Sequence, residues 1–500
     1  MTPEKTKETQ TLSFQKIVLI IATTVFSFSS STTAFFTMGL TSLIWLAIAA
    51  FLYFVPFAII NSELTSAYPK SKGSLYTWVS DSISPRLAFM TTFIWYSSYF
   101  IWMMSLFLKL WIPAGILLFG KDISKQVSIL GFPTKWILSI LSILGILILT
   151  WIINHGFLRI SKWLIVSGVL MVGLVILTVS TNLFLALSHP ETIIPNLASS
   201  SHADSFFATD KLTGLMSQLP FLIFAITAFG GMDTVSNLVD KMGNQKNKFS
   251  KAVLVGGGFI LLFYFLDIMS WAAGSDYTHV RALTNQHLAN LMYGLIDLLS
   301  RDLSKSLGLS KAAGDLVNQL YLRYTALTMF TAYVSLLATI GYAPLKVLLK
   351  ALSADQSSAR IFKKNRYDVA SRVVYLQAGV VSLFVIFLSL GTPIVSQLYN
   401  QLTLMTNLSR SLPYLIVAIS YPFFKAKFSE DYLTIIREKW LAKLLAVLVV
   451  LSITLAIGFE IYSTWLSDGI VSSLFLVIGP VLAALVADII YTKTLRRKRL

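Results

Sequence analysis

"SFSSSTTAF", residues 27–35, places six hydroxyl side chains in the seven positions from Ser27 to Thr33, inside an otherwise apolar run of membrane length. Upstream stands "KIVLIIATTVF" and downstream "TMGLTSLIWLAIAAFLYFVPF". A helix that opens there must find partners for its freed N–H and C=O groups; short hydroxyl side chains satisfy some and present others to a ligand. Read alone, the run is equally a seam of small residues packed on a neighbouring helix. A second interruption decides between the two. "AFGGMDTVSN" (228–237) sets two adjacent glycines and Asp233 inside another apolar run, five helices later. Paired interruptions in corresponding positions of two halves point to a transporter of inverted repeats, whose unwound backbone forms the substrate site near the bilayer midplane. The free N–H groups and positive dipole end of a half-helix suit a carboxylate.

Composition sets the frame around these breaks. Of 500 residues, 55% are hydrophobic and 13% charged, with mean hydropathy +0.72, more apolar surface than a soluble chain of this length buries. Repeated apolar runs near 20 residues predict an all-α polytopic membrane protein, where a barrel would show short alternating strands. Twelve helices are predicted near 14–41, 43–67, 86–119, 135–154, 157–188, 211–241, 248–274, 313–350, 368–390, 393–424, 437–464 and 469–492. The implied organisation is a tail (1–13), a first repeat (14–188), an external loop (189–210), a second repeat (211–424), helices 11 and 12 (425–492) and a basic tail (493–500). The second outward connection, 275–312, contains the amphipathic "TNQHLANLMYGLIDLL".

The net charge of +17 follows from orientation. With both termini cytoplasmic, 29 of the 40 Lys and Arg fall at inner helix ends, as the positive-inside rule requires of an inner-membrane protein. Nucleic-acid binding is then unnecessary. The polar start lacks a small-residue cleavage site, so no signal peptide is expected. Absence of cysteine removes disulfides, thiol nucleophiles and Cys-ligated metals.

The stretch "LYFVPFAIINSELTSAYPKSKGSLYTWVSDSISPRLAF" (52–89) resembles the second helix, short re-entrant helix and start of the third in the amino acid-polyamine-organocation (APC) superfamily, especially its glutamate/γ-aminobutyrate antiporter family. The resemblance continues through "RISK" (159–162), "FGGMDTVSNLVDKMGNQKNKFSKA" (229–252) and "LTLMTNLSRSLPYLIVAISYPFFKA" (402–426), closest to the YjeM-like branch. It implies a leucine-transporter-type fold: two inverted five-helix repeats with helices 1 and 6 broken, and helices 11 and 12 outside them. Three departures stand. Ser29, Ser30, Ser31, Thr32 and Thr33 occupy a break where relatives carry glycine-rich or aromatic residues. Helix 8 has no carboxylate between Thr325 and Ala343, and the chain stops at Leu500 without the C-terminal plug of acid-resistance relatives.

Ionisable groups at membrane depth are costly and mark function. Asp233 matches the family's acidic position after the helix 6 break; it binds a substrate amine, carries a proton, or caps the second half-helix. Arg410, a turn before Tyr414 on helix 10, falls on the side that the resemblance turns toward the substrate, where it binds a distal carboxylate or pairs with Asp233 or another carboxylate. Phe229 is the candidate lid beside Gly230 and Gly231, with core packing the alternative. Glu63, near the inner end of helix 2, is expected to pair with a Lys or Arg and steady a gate. Arg323 draws anions inward or snorkels. Asp267 in helix 7 has no evident partner.

Secondary transport of an amino acid or related amine, by exchange or with protons, follows, with a glutamate-like substrate favoured over a neutral amino acid or polyamine. An embedded enzyme fits poorly: all five histidines fall at helix ends or in loops, without an HExxH, a phosphate loop or a paired-aspartate metal motif, and no cofactor is implied. A channel fits poorly too, since channels are mostly symmetric rings of shorter subunits. The expected partners are the small substrate and the bilayer, with monomer and homodimer both open.

Overall fold

The computed structural model describes residues 13–68, 74–123, 128–129, 131–201, 218–219, 221–232, 236, 246–283, 290–353, 363–389, 393–428 and 432–495. Helices keep the numbers of the predicted spans. Helix 1 comprises Phe14–Val25 and Phe28–Met38, helix 2 Thr41–Ala67, helix 3 Pro85–Phe119, helix 4 Thr134–Asn154 and helix 5 Phe157–Ser188. Phe221–Ala228 is the first half of helix 6. Helix 7 is Lys246–Gly274, helix 8 Lys311–Ser353, helix 9 Ser371–Ser389 and helix 10 Pro393–Lys427, while helices 11 and 12 are the two arms of Lys439–Ile490. Those arms part at Gly469, whose φ of 84° lies where only glycine rests without strain.

Among the described residues, nine helical segments are long and apolar enough to cross a membrane, and Ser371–Phe387 is a shorter apolar helix. Helix 10 misses that set because its 35 residues include a polar run, "SQLYNQLTLMTNLSRS", that a lipid-facing helix would not carry. The short helix Ser74–Ser82 stands where the resemblance puts a re-entrant helix.

Helix 1 packs against helices 5 and 7, helix 8 against 3 and 5, and helix 10 against helix 3 and the kinked Lys439–Ile490. The most apolar stretch of helix 8 is 67% buried and that of helix 12 only 22%, so 8 belongs to the core and 12 to the lipid-facing rim. Buried hydroxyls are mostly satisfied within their own helices: Thr37 donates to the Thr33 carbonyl at 2.8 Å and Thr92 to that of Ala88 at 2.8 Å. Helix 2 carries a π-turn at Ala50–Phe54, just before Pro56, whose missing N–H breaks the regular ladder. The turn carries Tyr53 and Phe54, both buried, to the centre of the molecule.

Both long connections, 189–210 and 275–312, contain helices. In the predicted loop 189–210, Pro190–Ser201 is helical, with Pro190 starting it and Glu191 in its first turn, and Asn196 donates to the Ala273 carbonyl of helix 7 at 3.2 Å. Of the amphipathic stretch, 284–289 lie outside the described residues; the rest runs into the helix Leu291–Ser306, which buries Leu291, Leu295, Ile296 and Leu299 and packs on helix 8.

Candidate functional site

The break in helix 1 is two residues long, Phe26 and Ser27, both extended. The hydroxyl run is therefore mostly helical, with the break at its leading edge. Ser27 Oγ accepts the Ser30 N–H at 3.2 Å and caps the second half-helix. Thr32 donates to the Phe28 carbonyl at 3.0 Å, and Thr32 and Thr33 are buried. Ser31 is also buried, and its Oγ has no completed hydrogen bond. Only Ser29 and Ser30 keep partial exposure within the run's helical part. The five hydroxyls thus divide between backbone bonding, core and interior surface.

In helix 6 the first half ends at Ala228, and Phe229, Gly230 and Gly231 form the turn. Gly231 has φ 116°, and a β-carbon there would lie 3.4 Å from the Thr24 carbonyl, so the two breaks touch. Tyr264 of helix 7 joins them. Its hydroxyl donates to the Ala228 carbonyl at 2.9 Å, and its ring meets those of Phe26 and Phe229 edge-on at 4.9 and 5.5 Å. Phe229 is buried and stacked on Phe54 at 4.7 Å, which is core packing rather than a free lid in this conformation. Asp233 lies outside the described residues.

Arg410 comes to the same place from helix 10. A β-carbon on Gly230 would sit 3.1 Å from an Arg410 terminal nitrogen and 3.7 Å from the Tyr414 hydroxyl, so both side chains reach the helix 6 turn because Gly230 leaves room. The guanidinium lies over Trp102 at 4.1 Å and Tyr99 at 5.6 Å, two aromatic residues one turn apart on helix 3. Arg410 is 7% exposed, its Nε is buried without a hydrogen-bond partner, and no ion pair joins it to a carboxylate among the described residues. An aromatic shelf holds a cation in place without neutralising it. Trp102, Tyr99 and Tyr264 were not singled out in the sequence; a 13% aromatic content hid the i, i+3 pair on helix 3.

Glu63 sits apart, at the end of helix 2. Its Oε2 accepts from Tyr421 at 2.9 Å and Lys425 at 3.0 Å, and its Oε1 accepts the N–H groups of Ile435 and Ile436 at 2.7 Å each. Lys425 also donates to Tyr432 and to the Ile436 carbonyl, and Ser66 accepts the Leu433 N–H. Helix 2, helix 10 and the chain leading to helix 11 are fastened at one buried carboxylate. Arg323 is exposed on helix 8 and takes no part in either grouping.

A family model described as "Amino acid permease" matches residues 12–485. The chain is 33% identical over 480 residues to "Inner membrane transporter YjeM" of Escherichia coli K12, which covers 95% of this chain and 94% of that protein. It is 22% identical over 386 residues to the "Aspartate/glutamate permease AcaP" of Lactococcus lactis subsp. cremoris, with 75% of this chain and 72% of that one covered. A crystal structure of the manganese transporter of Eremococcus coleocola aligns at TM-score 0.55 and 15% identity over 99% of this chain and 97% of that one, a likeness of fold alone. With the two breaks in contact, the architecture is the leucine-transporter type.

Proposed function

This chain belongs to the amino acid permease family of multi-pass membrane transporters, and on that premise we propose that it carries an acidic amino acid across the inner membrane. Transport proceeds by alternating access, as exchange or with protons. Ser29, Ser30, Gly230, Gly231, Asp233 and Tyr414 surround the substrate, and Glu63 with Lys425 closes the cytoplasmic gate.

One observation carries the acidic preference: a buried guanidinium, held against the helix 6 turn by an aromatic shelf, with no carboxylate paired to it among the described residues. Such a charge is costly at membrane depth unless an anion meets it, and a side-chain carboxylate of the substrate meets it with good geometry. The name of the Lactococcus relative, an aspartate/glutamate permease, points the same way.

Competition among glutamate, glutamine and leucine for uptake into proteoliposomes tests the reading. Arg410→Met should weaken glutamate by about 1.5–3 kcal/mol, about 10- to 150-fold, while leaving glutamine and leucine near wild type. Equal losses for all three, or indifference of the wild type to glutamate, would assign Arg410 to an ion pair with Asp233. A neutral amino acid or amine would then be the substrate.

A further inference from the structure

Helix 7 buries a carboxylate for which acidic-substrate recognition has no use. Asp267 is fully buried; its Oδ1 accepts from Thr178 of helix 5 at 3.2 Å, and its Oδ2 has no completed hydrogen bond. Ser31, from the second half of helix 1, and Trp271, one turn along helix 7, converge on the same carboxylate. Ser31 Oγ and Trp271 Nε1 are also buried without a completed bond. Three neutral donors from three helices therefore enclose one acid, and one of them belongs to the half-helix that starts at the substrate site.

The elements packed on helix 7 bring little charge near it. The first half of helix 1 carries Lys16 at its far end, and the second half carries no charge. Helix 2 carries Glu63, already held by Lys425, and helix 5 carries Arg159 and Lys162 near its start, the end away from Thr178. Glu191 of the outer helix is exposed, and Arg281 lies beyond the end of helix 7, over Phe36. Helix 7 itself has lysines only in its first two turns, and Tyr264, one turn from Asp267, donates to Ala228.

A carboxylate enclosed this way needs a cation small enough to enter. A metal ion would face the Trp271 N–H, which can donate but never ligate, whereas a proton on Oδ2 can be given to Ser31 Oγ, a hydroxyl able to accept as well as donate, while Oδ1 goes on accepting from Thr178. We propose that Asp267 carries the coupled proton. It takes the proton from water on one side and holds it while Ser31 and its half-helix close over the acid. When that half-helix moves, the proton leaves to the other side. On loading, an O–H bond of hydronium breaks as the Oδ2–H bond forms; on release that bond breaks as an O–H bond forms on a water at the other side, and nothing is oxidised or reduced. The inference rests on the permease reading and is independent of which amino acid is carried.

Two measurements on the purified full chain test it. In proteoliposomes given a mixture of labelled glutamate, glutamine and leucine, an acid-outside gradient should drive accumulation by the wild type. Asp267→Asn should lose that accumulation and keep counterflow exchange. Infrared spectra should show a protonated-carboxyl C=O band in the wild type that disappears in Asp267→Asn, a readout that needs no substrate and no transport. Where the Asn variant loses counterflow as well, Asp267→Glu should restore accumulation with a displaced pH profile. An unchanged infrared band in Asp267→Asn, gradient-driven accumulation by that variant, a wild-type profile in Asp267→Glu, or wild-type accumulation that follows sodium alone would each overturn the proposal. Failure of the permease reading would look different: no counterflow by the wild type for any member of the mixture.

Discussion

Gly231 holds φ 116°, so any side chain there is strained, although the Thr24 carbonyl and the Val25 side chain would stand at ordinary van der Waals distance from its β-carbon. Gly231→Ala should cost about 1–3 kcal/mol and lower the melting temperature of the purified protein, with uptake reduced because the strained turn is the one that meets helix 1. Gly258, in helix 7, is the control: a methyl group added there would find nothing within 4 Å, and Gly258→Ala should leave both unchanged. Equal melting temperatures for the two variants would show that the helix 6 turn tolerates ordinary backbone. Arg410 shows the same economy: Gly230 has no side chain to exclude it, and Trp102 gives its planar group a surface worth about 2 kcal/mol when dry.

Glu63 and Lys425 join three elements, and their coupling is measurable. Glu63→Gln and Lys425→Met should each destabilise by about 3–5 kcal/mol, since each strands a buried charge. The double variant should cost well below the sum, as read from thermal unfolding in a double-mutant cycle; additive costs would mean that the pair contributes nothing jointly. At this scale the sequence was readable where composition alone decides an element. Runs of apolar residues located the helices, and the Ser-Thr run and Gly-Gly pair located both breaks. The helix in 189–210 was missed because its residues are polar, and it is held by contacts such as Asn196 to the Ala273 carbonyl, far along the chain. Of the candidate site, the resemblance turned Arg410 toward the interior, helical spacing put Tyr414 on its face, and the Gly-Gly interruption marked Gly230; that the three meet is seen only in the fold. The division of Ser29 to Thr33 was not, because hydroxyls one residue apart point about 100° around a helix and only the fold fixes its rotation.

Charge distribution predicts an orientation for the whole molecule, and labelling can check it. The chain has no cysteine, so single introduced thiols are unambiguous. An impermeant maleimide added to intact cells should modify Lys305→Cys, whose side chain is 79% exposed beyond helix 7, and spare Lys364→Cys until the membrane is permeabilised. The opposite pattern would invert the topology. The same predicted orientation puts Lys364 on the side where Glu63 fastens helices 2 and 10 to the chain before helix 11. In the gate proposed above, opening means that two carboxylate oxygens surrender four donors together, a step rich in enthalpy, while the freed connection gains chain entropy. A barrier of that composition falls steeply on warming, so turnover in the cold slows far more than the substrate's own diffusion, and temperature becomes a governor of flux.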